Sequence, residues 1–300
     1  MSKLRENSPK NRPGKIDLPL ISFFLIAYII AWGLIPVMNY FAQSAGQDSW
    51  LVLSEMAEAL RFEGVDLPVA GWVIYLITRL QDFSFSIAGI IMIAAVSGWK
   101  GLQELGQRLV RWRVNWKWYL FAFLPFGIYL LATALTGNLG SFRVTDNTLA
   151  AVLIQAETGF LVYLFLRGAM GEELGLRGFA LPRLQKKTSP FWASVIIGIF
   201  WAGWHIPVLV GRDIVSVIAF LLLAFLISFI FTYLFNRSNG SLFPVLLFHA
   251  TQNSEEIFEL IFPTLVGTDW ELISSLTLLV VGLIIGVMLW REQQNIKDGS

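Results

Sequence analysis

Residues 214–235 read IVSVIAFLLLAFLISFIFTYLF, 22 positions without one charged side chain. A helix needs about 20 apolar residues to cross the hydrocarbon core of a bilayer. No water is available there, so every backbone N–H and C=O must be bonded within the segment, and the stretch reads as a membrane-spanning helix. Its surroundings agree. The 300-residue chain is 56% hydrophobic and 14% charged, with 24 phenylalanines, 12 tryptophans and a mean hydropathy of +0.64, which is too apolar for an ordinary soluble domain.

Working outward, apolar runs recur at Leu18–Phe41, Val69–Gly98, Trp118–Leu139, Thr148–Ala180 and Phe191–Val210, then from Leu242, and at Leu272–Trp290. The expectation is an all-α polytopic membrane protein of about eight transmembrane helices. The first run is longer than a signal-peptide core and reads as a span, with cleavage after Ser44 as the alternative. Arg79 and Asp82 interrupt the second run at i, i+3, the spacing of a local ion pair near the outer interface, so one crossing is expected there. Basic residues gather at 1–15, 100–117, 181–187, Arg237 and Arg291, and acidic ones at Gln43–Asp66 and Asp269–Glu271. The positive-inside rule then puts the N- and C-termini in the cytoplasm.

This organisation divides into a basic cytoplasmic tail (1–16), a single transmembrane domain (17–291) with a motif core at about 148–255, and a cytoplasmic tail (292–300). The expected location is a multi-pass integral membrane protein, in the plasma membrane if the source is a prokaryote. A net charge of +1, with basic residues only in short segments, gives no reason to expect a nucleic-acid partner. Membrane lipids are the expected surroundings. The absence of cysteine excludes disulfides, thiolate metal ligation and a cysteine nucleophile.

Ionisable residues inside apolar runs are costly and usually face one another around a site. GEELGLRGF (171–179) places Glu173 and Arg177 four residues apart on one helix face. Glu172, rotated by about 100°, is left to point elsewhere and is the better candidate base for activating water. Gly168, Gly171, Gly175 and Gly178 allow a neighbouring helix to approach closely. His205 lies in FWAGWHIP (200–207), where Pro207 should distort or end the helix. His249 and Asn253 stand at i, i+4, two hydrogen-bond donors aimed at one point and suited to a developing oxyanion. Singly, each motif reads as well as a structural ion cluster or a packing hydrogen bond.

The ordered set is more specific. EExxxR, an aromatic-rich stretch ending in His205, and HxxxN resemble the CAAX protease and bacteriocin-processing family, the intramembrane endopeptidases of the Ras-converting-enzyme type, over about Leu164–Asn253. The segment GWKGLQELGQRLVRWRVNWKWYL (98–120) is similar to that family's basic lead-in. The resemblance implies that Glu172 activates the attacking water with Glu173 and Arg177 as its supporting pair. It further implies that His205 helps hold that water and that His249 and Asn253 stabilise the oxyanion. Where the family usually has phenylalanine, this chain has Trp201, which keeps an aromatic wall. No HExxH is present; a two-His-plus-Glu zinc site stays open on paper, and the reading leans to no metal or other cofactor.

The implied substrate is a protein or peptide, prenylated or otherwise membrane-associated, reached from the cytoplasmic leaflet. A non-proteolytic scaffold or self-immunity protein is the alternative, and a proton-coupled transporter a third reading, which no inverted repeat supports. At 1.5 Å per residue, Glu172 and His249 lie about 10–15 Å from the cytoplasmic ends of their runs. His205 falls one to two turns deeper, so tilt or a kink near Pro207 must bring the three level. Beyond Asn253, either Glu255, Glu256 and Glu259 line a hydrated cavity or the helix emerges early.

Overall fold

The computed structural model describes residues 17–51, 69–142, 159–265 and 267–298; the tail expected at 1–16 and the beginning of the fourth apolar run lie outside them. Among the described residues every regular element is helical. The first run forms α1 (Leu18–Gly33) and α2 (Ile35–Ser44), joined at Leu34 ahead of Pro36. The second forms α3 (Val69–Asp82) and α4 (Ser84–Leu109). Because α2 packs on α3 and α1 on α4, the bent pair runs alongside the first two helices in the opposite direction. The Arg79–Asp82 ion pair forms at 3.3 Å. Within α4, Gly98 takes φ 57°, a left-handed conformation that glycine adopts without a Cβ clash, and there the basic portion turns off.

The third run is α5 (Lys117–Ala122) and α6 (Leu124–Leu135), followed by a 3₁₀ turn at Asn138–Ser141. The fourth run is not the single helix that its apolarity suggested. Over its described part it forms α7 (Leu161–Phe165), breaks at Arg167 (φ −136°, ψ −145°), and resumes as α8 (Gly168–Gly175), a π turn at Leu176–Ala180 and α9 (Leu181–Gln185). Next, α10 spans Pro190–Trp204 and ends before Val210. Pro207 has no N–H to continue the ladder, and Ile206–Leu209 close into a 3₁₀ turn.

The remaining elements are α11 (Ile214–Arg237), α12 (Phe243–Gln252), α13 (Glu256–Ile261) and α14 (Trp270–Asp298). The seventh run is thus a ten-residue helix, and it ends early. Among the described residues, four stretches are long and apolar enough to cross a membrane: Leu18–Ser44, Ser84–Leu109, Ile214–Arg237 and Trp270–Asn295. Leu124–Leu135 and Pro190–Trp204 are shorter apolar helices.

Glycines bring α8 against the α3–α4 junction. A Cβ on Gly171 would lie 2.4 Å from the Asp82 carbonyl oxygen, and one on Gly175 2.0 Å from that of Phe85. No side chain fits there, so the backbones touch in the small-residue manner. Ser86 Oγ donates to the Met170 carbonyl across the same contact at 2.7 Å. Tyr28 and Trp32 of α1 donate to the carbonyls of Phe200 and Trp204, tying the end of α10 in place.

Candidate active site

The break at Arg167 starts α8 one turn before Glu172, and the adjacent glutamates then divide. Glu173, fully buried, accepts on Oε1 from Arg177 Nη1 at 3.0 Å and from His249 Nδ1 at 2.8 Å. Arg177 is also fully buried, its guanidinium 4.4 Å from the Phe231 ring centroid and 5.3 Å from that of Trp201. Its Nη2 reaches Ser228 Oγ at 3.4 Å, and that hydroxyl donates to the Ser194 carbonyl. An arginine with no exit to solvent is tolerable only with such pairing.

Glu172 instead faces a cavity of about 90 Å³ that it lines with Trp201, His205, His249, Gln252 and Asn253. The indole N–H of Trp201 donates to Glu172 Oε2. His205 caps α10, and its Nδ1 lies 2.8 Å from the Trp201 carbonyl oxygen. A carbonyl only accepts, so Nδ1 carries the proton and a neutral ring keeps its lone pair on Nε2. His249 is oriented from behind by Glu173. A Cβ on Gly168 would lie 2.7 Å from His249 Nε2 and 3.0 Å from Asn253 Nδ2, so those two nitrogens converge on one spot of α8 and only glycine leaves them room. A volume of this size holds a few waters among polar partners.

All six residues singled out from the motifs are therefore in one cluster: Glu172, His205, His249 and Asn253 at the cavity, Glu173 and Arg177 behind it. Ending α10 at Trp204 brings His205 level with Glu172, which resolves the depth mismatch in helix counting. His205 and Asn253 lie at the helix ends remote from the basic segments. Sequence reasoning took Trp201 as an aromatic wall and missed its hydrogen bond to Glu172. It also missed Gln252, and Ser228 and Ser194, whose only signal was a hydroxyl inside an apolar run. Glu255 is exposed beyond the end of α12, in keeping with the early exit. Among the described residues no three His, Asp or Glu side chains stand together as a metal-holding group.

Fold and site together define an integral membrane protein, all-helical in its described part, with a buried glutamate–arginine–histidine cluster behind a small polar cavity. Residues 154–254 match the family model of the type II CAAX prenyl endopeptidases, Rce1-like, so the resemblance read from the three motifs holds over this segment. A curated relative, CAAX prenyl protease 2 of Methanococcus maripaludis, is 35% identical over 82 residues. That match covers 27% of this chain and 28% of the relative.

Proposed function

We propose that this chain is a multi-pass membrane endopeptidase, with both termini in the cytoplasm, that hydrolyses a peptide bond with water activated by Glu172. The observation that carries the reading is the division of labour between adjacent carboxylates: Glu173 is occupied by Arg177 and His249, while Glu172 lines the cavity opposite two convergent donors. A water held between Glu172 and His205 Nε2 attacks the scissile carbonyl carbon and passes its proton to Glu172. Negative charge then develops on the carbonyl oxygen, where Asn253 and His249 donate to it; His249 does so as the imidazolium, because its Nδ1–H is directed to Glu173. Collapse breaks the C–N bond, and the proton on Glu172 goes to the leaving amine. No step calls for a metal. The substrate is a protein or peptide held at the membrane, of the CAAX-like or peptide-processing kind.

The test is quantitative terminomics of membranes expressing wild type or Glu172→Gln at equal levels. Loss of a general base costs roughly 10²–10⁴-fold, so the expected result is a set of protein termini present only with wild type. Identical termini would remove the enzymatic reading and leave the scaffold. The same comparison with a strong chelator is expected to change nothing, and abolition of cleavage would show that a metal takes part.

A further inference from the structure

The two ends of the helix bundle are chemically unlike. At one end Asp17, which begins α1, pairs with Arg183 at 2.7 Å and Lys187 at 3.0 Å. Arg108 donates to the Gly178 carbonyl and Arg111 to that of Asn239, while Arg237 pairs with Glu292. These contacts gather the ends of α4, α9, α11 and α14. Lys100, Arg108, Arg111, Arg113 and Lys117 lie here with Arg183, Lys186, Lys187, Arg237 and Arg291, ten of the described basic residues. The opposite end holds the starts of α3 and α11 and the ends of α2, α10 and α12. Among the described residues it carries Arg79, Arg167 and Arg212, beside acidic residues such as Asp48, Asp213, Glu255, Asp269 and Glu271.

The cavity belongs to the second end. Pro190 opens α10 near the basic cluster, and His205 caps it at the other extremity. Phe243 opens α12 immediately after Leu242, whose N–H bonds the Arg108 carbonyl, and Asn253 closes it. Along α8, Glu172 is only about 6 Å from Gly168, whereas His205 is roughly 22 Å from Pro190 at 1.5 Å per residue. Three separate helices thus put their chemistry at the extremity poor in lysine and arginine. The excess of lysine and arginine decides which extremity stays in the cytoplasm.

Resting on the hydrolytic reading above, we propose that the cavity opens on the non-cytoplasmic side of the membrane. Its substrate class is then a translocated peptide, or a membrane segment presented at the outer leaflet, instead of a cytosolic tail.

The chain contains no cysteine, so single-cysteine variants need no background changes. Asp213→Cys and Glu255→Cys probe the cavity end, Lys186→Cys and Arg113→Cys the basic end; all four native residues are exposed. Each variant is made in right-side-out vesicles from an expressing bacterium and treated with a membrane-impermeant maleimide, before and after permeabilisation. Labelling of the first pair at once, and of the second pair only after permeabilisation, is the expected result. The reverse pattern would overturn the proposal, as would equal labelling of both ends from outside, which would mean two orientations. Labelling does not depend on activity. Its failure would leave the Glu172 terminomics result standing, and a negative terminomics result would leave the orientation standing.

Discussion

Glu172 and Glu173 are chemically identical neighbours that the helical period sends to different surroundings. One meets a buried arginine and a histidine; the other meets an indole N–H and a cavity. Trp201 is the residue through which the position of Glu172 can be tested, because Trp201→Phe keeps the ring and removes the donor. A hydrogen bond to a charged group contributes about 1.5–3 kcal/mol, so kcat should fall by roughly ten- to a hundredfold with KM little changed. Steady-state kinetics on a substrate found by terminomics would measure this. An unchanged kcat would mean that the indole does not orient the carboxylate.

At the scale of elements, placement of α8 depends on what is missing from its surface. Gly175→Ala would set a methyl group 2.0 Å from the Phe85 carbonyl oxygen, a collision with backbone that no rotamer relieves. Overpacking costs about 1–3 kcal/mol even where side chains can shift. The variant should therefore lose folded yield, read as the monodisperse fraction after detergent extraction, whereas Gly127→Ala, with open space around it, should not.

The start of α1 offers a gentler case. Asp17 accepts from the Leu20 N–H as an N-cap and from Arg183 and Lys187. Burial alone would raise its carboxyl, but these hydrogen bonds and the Arg183 charge outweigh it and hold the group below the usual carboxylate range. The charged form is thus favoured by folding. Its contribution is complete above the unfolded value of about 4 and is lost as pH falls through the folded one. Asp17→Ala should cost about 1–2 kcal/mol near pH 7, and the gap in thermal midpoint from wild type should narrow in acid. A gap independent of pH would show that the ion pairs contribute nothing.

For the whole molecule, the telling surface is apolar. Leu25, Ile29, Leu76, Ile214, Val215, Leu283 and Ile284 are all more than half exposed, on helices long and apolar enough to cross a membrane or on α3. The protein should stay in the membrane pellet through alkaline carbonate washing and come out only in detergent. Release by carbonate would contradict the spanning reading. The same view joins the basic segments, scattered over nearly 200 positions of sequence, into one rim, and sets that rim opposite the cavity.

The sequence by itself determined the solvent and the chemistry. Runs of about 20 uncharged residues have no stable place except a bilayer, and ionisable groups within them must find one another, so the cluster of Glu172, Glu173, Arg177, His205, His249 and Asn253 was legible before any coordinates. The four-residue spacings of Glu173 with Arg177 and of His249 with Asn253 were readable for the same reason, since helical period is local. Tertiary structure alone decided what depends on where helices stop and which neighbours they meet. The breaks at Arg167 and Pro207 level the three motifs, Trp201 becomes a donor because its indole reaches Glu172 from the end of α10, and Glu173 is shared between Arg177 and His249. The direction of the cavity also belongs here: hydropathy reports that a segment crosses, but only the packed helix ends show which extremity carries the chemistry.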